Sequence, residues 1–260
     1  AFTAILTIAA VHVPQPPKQK LAPETSVIED MREGFSFIKS WPGALRLIGL
    51  AMVINFTISP AMTLLPILAT IFFVEEAAAL AALAAFQVAS SVGTVIGGVI
   101  IGAWGVKERK IHVSLTGLTF MGLGLAAIGF APLTYAWIVV AALFGMGFSA
   151  SLANGPLLAI IQGTIPPEKQ GRVFSVMSTG SMMMMPIGLA FAAPIAEIFG
   201  VQFLFIIAGF ITIAAAIVGF FSPSLMHFEA HAETLKAAES TRLDDTLEPE
   251  VISEDTPESL

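Results

Sequence analysis

The sequence predicts an all-α membrane protein with six transmembrane helices, and three observations carry that reading. The chain is 56% hydrophobic and only 12% charged, outside the range of an ordinary soluble domain. Six apolar runs, residues 47–72, 79–104, 111–131, 135–162, 173–196 and 201–221, have 21 to 28 residues each, against about 20 needed to cross ~30 Å of hydrocarbon. The twelve Lys and Arg residues fall only in alternate gaps between those runs. A soluble helical core would show a charged outer face along each helix, and these runs have none.

The opening stretch 1–13 is apolar but too short to span. It reads as the end of a preceding transmembrane helix, and the chain therefore as part of a longer protein. Pro14, Pro16 and Pro17 end it and begin a linker that extends to residue 46. Within that linker Val27, Met31, Phe35 and Ile38 recur at helical spacing, with Glu29, Asp30, Arg32, Glu33 and Lys39 on the other side. Ser26 and Glu29 fit a capping box. The spacing predicts an amphipathic helix over 26–40, lying along the membrane surface. Trp41 and Pro42 mark the interface and the turn into the first run.

Charge sets the orientation. Lys18, Lys20, Arg32, Lys39 and Arg46 precede the first run, and Lys107, Arg109 and Lys110 follow the second. Lys169 and Arg172 follow the fourth run, Lys236 and Arg242 the sixth. The other gaps carry only Glu75, Glu76 and Glu197 as charged residues. Among the short gaps alone, all five basic residues fall on one side, an outcome that gap length by itself gives roughly one time in twenty. The basic side is expected to be cytoplasmic, which predicts a multi-pass protein of the cell membrane with its C-terminal tail inside. That tail, 222–260, holds ten acidic and two basic residues and reads as a disordered extension. The net charge of −7 is thus a property of the tail and names no partner; none of it points to nucleic acid.

Glycine and proline are concentrated inside the runs. The second contains Gly93-x-x-x-Gly97 and Gly98-x-x-x-Gly102, spacings that permit close helix approach within the bundle or a dimer contact. Pro60 and Pro66 interrupt the first run and Gly155-Pro156 the fourth. Bent helices of this kind are where transporters place binding sites.

Polar uncharged residues form stripes on four of the six runs. Asn55, Ser59 and Thr63 share a face of the first; Gln87, Ser91 and Thr94 form a similar stripe on the second. The fourth carries Ser151 and Asn154, and the fifth Ser178 with Met182, the start of a four-methionine run. The sixth has only Thr212, and the third has Ser114, Thr116 and Thr119 near its basic end. Four helices around a substrate cavity, with the third and sixth packed outside them, would explain that distribution. Interhelical hydrogen bonds, worth about 0.6 kcal/mol each, are the competing explanation for any one of these residues. Asn55, Gln87 and Asn154 are the preferred contacts, because an amide is costlier to bury unpaired than a hydroxyl. The Met182–Met185 run offers polarizable surface of the kind promiscuous binders use, or a filler for an irregular helix interface.

Chemistry that needs ionisable groups is missing from the middle of the runs. No Asp, Glu, Lys, Arg or His stands there, although intramembrane proton relays are built from such residues. The chain has no cysteine, and neither a metal-ligand cluster, a phosphate loop nor a nucleophile–base pair is visible, so neither an enzyme nor a cofactor is expected.

Three segments carry a family resemblance. GGVIIGAWGVKERK, residues 97–110, resembles the glycine-and-basic loop motif of the major facilitator superfamily. NGPLLAIIQGTIPPEKQGRVFS, residues 154–175, is similar to the corresponding stretch of its macrolide-efflux and enterobactin-exporter branch. EDMREGFSFIKSWPGALRLI, residues 29–48, resembles that branch's amphipathic linker. The resemblance covers about residues 1–225 and implies the C-terminal six-helix bundle of a twelve-helix transporter, with an N-terminal half as partner and the lipid bilayer as solvent. It implies alternating-access, proton-coupled export of an amphipathic small molecule such as a macrolide-type drug or a siderophore. A lysolipid flippase and a six-helix channel or scaffold are the alternatives. By the same resemblance Gly98, Gly105, Lys107, Arg109 and Lys110 belong to one cytoplasmic gating loop, and Glu168, Gly171 and Arg172 to its counterpart after the fourth run. The acidic position usual in the first motif is Gly102 here, which puts a charge-relay role in doubt.

Overall fold

The computed structural model describes residues 42–105, 110–164 and 167–226. The stretch 1–13, the segment 26–40, Lys107, Arg109 and the tail beyond residue 226 lie outside the described residues. Every regular element in the described part is an α-helix. They are α1 Pro42–Thr63, α2 Leu65–Phe72, α3 Glu76–Trp104, α4 Lys110–Phe130, α5 Ala136–Thr164, α6 Pro167–Phe199, α7 Val201–Phe220 and α8 Pro223–Met226. Six helices are long and apolar enough to cross a membrane, and they coincide with the six apolar runs.

The first span is broken where proline dictates. Pro66 cannot donate to the carbonyl of Met62, and the helix interrupts at Leu64 (φ −89°, ψ 2°) before restarting as α2. Pro60 lies inside α1 and denies the carbonyl of Phe56 its intrahelical partner. Gly188 of α6 packs against that same carbonyl: a Cβ there would stand 2.5 Å from it. Losing one ladder bond thus coincides with the closest approach of the fifth span to the first.

Connections are short and use glycine where the backbone turns left-handed. Gly105 ends α3 at φ +59° and Gly200, the single residue between α6 and α7, has φ +89°; both conformations strain any residue with a Cβ. The fifth helix is longer than its apolar run. At about 1.5 Å per residue its 33 residues exceed the ~30 Å hydrocarbon thickness. Its first turns absorb the segment expected to be a loop, so Glu168, Gly171 and Arg172 stand on a helix. Continuous hydrogen bonding is the physical reason: Pro167 suits a first helical turn, where its missing N–H has no partner to lose.

Contacts between helices place the spans in the order second, fourth, third, sixth, first, fifth. The third and sixth therefore join two wings, second with fourth and first with fifth. Glycines close the seams of the row. A Cβ on Gly147 would lie 2.0 Å from the carbonyl oxygen of Ser90, and one on Gly93 2.1 Å from that of Phe144, which fixes the contact of α3 with α5. Gly122, Gly129 and Gly209 do the same between α4 and α7. Of the two glycine pairs in the second span, Gly93 and Gly97 thus serve the bundle. Gly98 has only the Ser151 hydroxyl at 3.9 Å, and Gly102 has nothing within 4 Å.

Two apolar clusters fill the two ends of the bundle. One gathers Leu68, Phe86, Leu125, Ile128, Val139 and Phe205 on the side away from the basic residues. The other gathers Leu47, Ile111, Leu115, Ile160, Val173 and Leu225 on the basic side.

Candidate functional site

A groove of about 100 Å³ opens between α1, α4 and α5. Leu47, Ile111 and Leu115 of the basic-side cluster form its floor, and Leu118 and Met121 continue it toward the other end. Asn55 and Asn154 both line it, brought from two spans that are far apart in sequence. Each Asn donates its amide N–H to the carbonyl one turn back in its own helix, Asn55 to Ala51 at 2.8 Å and Asn154 to Ala150 at 2.9 Å. That bond ties down the nitrogen and leaves the amide oxygen to accept.

Ser114 completes the groove and is the residue sequence reasoning passed over. It is buried and lines the same groove, and its hydroxyl has no hydrogen-bond partner. An unpaired buried hydroxyl costs about 1–3 kcal/mol. Its local alternative, bonding back to a carbonyl of its own helix, is not taken. The signal was present in the sequence as one of three hydroxyl residues, Ser114, Thr116 and Thr119, on an otherwise apolar third span. It was masked because that span, judged whole, looks lipid-like.

The remaining candidates divide between seam and surface. The Ser151 hydroxyl donates to the Thr94 carbonyl at 2.8 Å across the α3–α5 seam. The Thr94 hydroxyl donates to Ser90 at 2.9 Å and would crowd a Cβ on Gly147. Both are used by helix packing. Ser59 is half-buried, and its carbonyl accepts the exposed Thr63 hydroxyl at 2.8 Å. Gln87 and Ser91 are exposed on the second span, outside the groove. Ser178 is exposed and donates to the Ser175 carbonyl at 3.1 Å; Met182 is 75% exposed. Of the three preferred amides, the structure brings two together and leaves Gln87 on another face.

The loop candidates surround the basic end. Gly98 and Gly105 lie on or just after α3, and Lys110 begins α4. Gly171 is exposed near the start of α6. The acidic, basic and histidine residues of the described stretches stand at span ends: Arg46, Lys110, His112, Glu168, Lys169 and Arg172 on one side, Glu75, Glu76 and Glu197 on the other. His112 packs edge-on against Phe220, ring centroids 6.2 Å apart, with its Nδ1 buried and unpartnered. Among the described residues, no group of three His, Cys, Asp or Glu could hold a metal ion.

The family model for the Major Facilitator Superfamily matches residues 1–180 and also 45–244. Macrolide efflux protein A of Streptococcus pyogenes is 29% identical over 220 residues, covering 84% of this chain and 53% of that protein. The protein of the same name from Enterococcus faecalis is 28% identical over 191 residues, 73% of this chain and 58% of that one. The uncharacterized MFS-type transporter YfiS of Bacillus subtilis is 26% identical over 209 residues, 78% of this chain and 47% of its own length. The chain spans about half the length of the curated relatives it matches.

Proposed function

This chain belongs to the Major Facilitator Superfamily, and we propose that it forms one six-helix bundle of a secondary active exporter for amphipathic small molecules, macrolide-type drugs foremost. The observation that carries the proposal is the groove holding Asn55, Asn154 and the unpartnered Ser114 hydroxyl. Two amide oxygens and one hydroxyl in a wall of Leu, Ile, Met and Ala suit a mostly apolar molecule that presents hydroxyl or ammonium donors. Macrolide efflux protein A is the name of two relatives, which favours drugs over siderophores as the first substrates to test.

Size argues for a second wall. Sites that enclose drug-sized molecules measure about 300–1,000 Å³, well above the ~100 Å³ available here. The groove therefore holds one edge of the substrate, and a second bundle supplies the opposite wall. Rocking of the two bundles about a site near the midplane then exposes the substrate to each side in turn. Among the described residues no ionisable side chain lines the groove, so we place the proton-coupling carboxylate in the second bundle. The basic end, with Lys110 and the segment around Gly105 and Gly171, faces the cytoplasm and gates access there.

Cells expressing the complete transporter test this. Asn55→Leu and Asn154→Leu should each lower efflux of a labelled macrolide about tenfold, the worth of one hydrogen bond to a polar or charged substrate group. Membrane levels should not change. Undiminished efflux in both variants would sink the substrate assignment. Substrate-for-substrate counterflow in liposomes separates this reading from a channel, which shows none, and export confined to lysolipid would favour a flippase.

A further inference from the structure

A second and larger cavity, about 760 Å³, lies between α1 and α7 on a face that the substrate groove does not use. We propose that this cavity, which shares only Leu50 with the substrate groove, binds an anionic phospholipid of the leaflet on the basic side, with the phosphate on Arg46 and an acyl chain along the α1–α7 seam.

The surface around the cavity is a hydrocarbon-facing one. Phe210, Ile211, Ile217 and Val218 of α7 are all exposed, while Thr212, that helix's one hydroxyl, is fully buried. The slot exists because the helices present small residues along it. Gly49 meets nothing within 4 Å of its Cβ position, and Ala214 and Ala215 face it from α7. Polar character is confined to one end, where Arg46 and Ser222 stand beside α8. Among the described residues, no acidic side chain lines the cavity.

Arg46 is held over the mouth of this slot. Its guanidinium donates to the Ser222 hydroxyl at 2.8 Å. An arginine at a span end otherwise extends toward bulk water. The bond uses one of five N–H donors, and the planar fork that remains matches a phosphate. An apolar slot about two helical turns long, with one cation at its interfacial end, is complementary to an amphipathic anion. Basic pockets between transmembrane helices on the cytoplasmic side hold anionic headgroups by the same electrostatics. A free phosphate would satisfy Arg46 and leave the apolar slot unused, so lipid is the occupant the whole cavity fits.

The test uses the purified complete transporter, stripped of lipid in detergent and then offered dioleoyl phosphatidylglycerol, dioleoyl phosphatidylcholine or soluble glycerol phosphate. Native mass spectrometry counts the molecules retained. One phosphatidylglycerol should be held per chain, about tenfold more tightly than phosphatidylcholine, and glycerol phosphate should not displace it. Arg46→Gln should cut phosphatidylglycerol retention about tenfold, as expected for one charge-assisted contact, with phosphatidylcholine unchanged. Gly49→Leu, which fills the slot where space is open, should lower retention of both lipids. Retention in Arg46→Gln equal to that of the unaltered protein overturns the proposal. So does displacement by glycerol phosphate, or a Gly49→Leu protein that keeps both lipids, since another part of the protein or a second copy would then cover the slot.

Discussion

The third and fifth spans are similar in apolar content yet opposite in environment. Half of the third span's membrane window is buried inside the bundle, against 11% of the fifth's. The third is tied to its neighbours through Gly117, Gly122, Gly124 and Gly129, each of whose Cβ positions is occupied by an adjacent helix. The fifth touches the first closely at Gly188 but exposes Met182, Met183, Met185 and Phe191. Hydropathy measures only whether a helix tolerates hydrocarbon. Burial reports whether its neighbours are present, and the fifth span's broad exposed face is that of a helix whose partner surface belongs to the second bundle proposed above.

The largest expected effect breaks the buried side of that contrast. Gly147→Val and Gly209→Val push a side chain into backbone atoms of the facing helix, and overpacking of this kind costs about 1–3 kcal/mol or more. Both should unfold at markedly lower temperature in detergent. Gly180→Val on the fifth span meets only the flexible Met52 side chain, 3.8 Å away, and should melt like the unaltered protein. Equal damage from all three would erase the distinction.

A chemical probe sharpens the exposed side. Because this chain has no cysteine of its own, Met182→Cys and Leu125→Cys each add one thiol to it, at an exposed and a fully buried site. In the complete transporter the thiol at 182 should react with a maleimide at least about tenfold faster, since the thiolate that reacts forms only where water reaches. Similar slow labelling at both sites would place Met182 in lipid and remove it from the proposed cavity.

The smallest effect concerns the joint between the two wings. Thr212 donates to the Ala208 carbonyl at 2.7 Å and lies 3.4 Å from the Thr57 hydroxyl. Thr212→Val should cost only about 0.6 kcal/mol, the typical worth of such a contact between membrane helices. A shift several times larger would show that hydroxyls rather than glycine packing join the first and sixth spans.

The candidate site was legible in part, and two residues of one helix show where legibility stops. Ser151 and Asn154 stand three apart on the fourth span and look equivalent as a polar stripe. One is consumed by the seam with the second span; the other lines the groove with Asn55. Three residues advance about 300° around a helix, which leaves the two side chains about 60° apart, enough for each to meet a different neighbour. Ser114 was misjudged for the related reason that a span was judged by its average, and the helix beside it decided its role.

The sequence by itself determined the six spans, the helix-breaking prolines and the one-sided basic residues. Each depends on local properties, either the length of chain that can replace water with hydrocarbon or the bond a proline cannot make. Only the tertiary structure decided that Gly93 and Gly97 seal a seam while Gly98 and Gly102 do not. It alone placed two of the three candidate amides in one groove and opened an apolar slot of about 760 Å³ below Arg46. Those outcomes follow from the order in which the helices pack, second, fourth, third, sixth, first, fifth. Helix order is a long-range property: hydrocarbon tolerates every apolar face, and close packing with a few interhelical hydrogen bonds selects the neighbour.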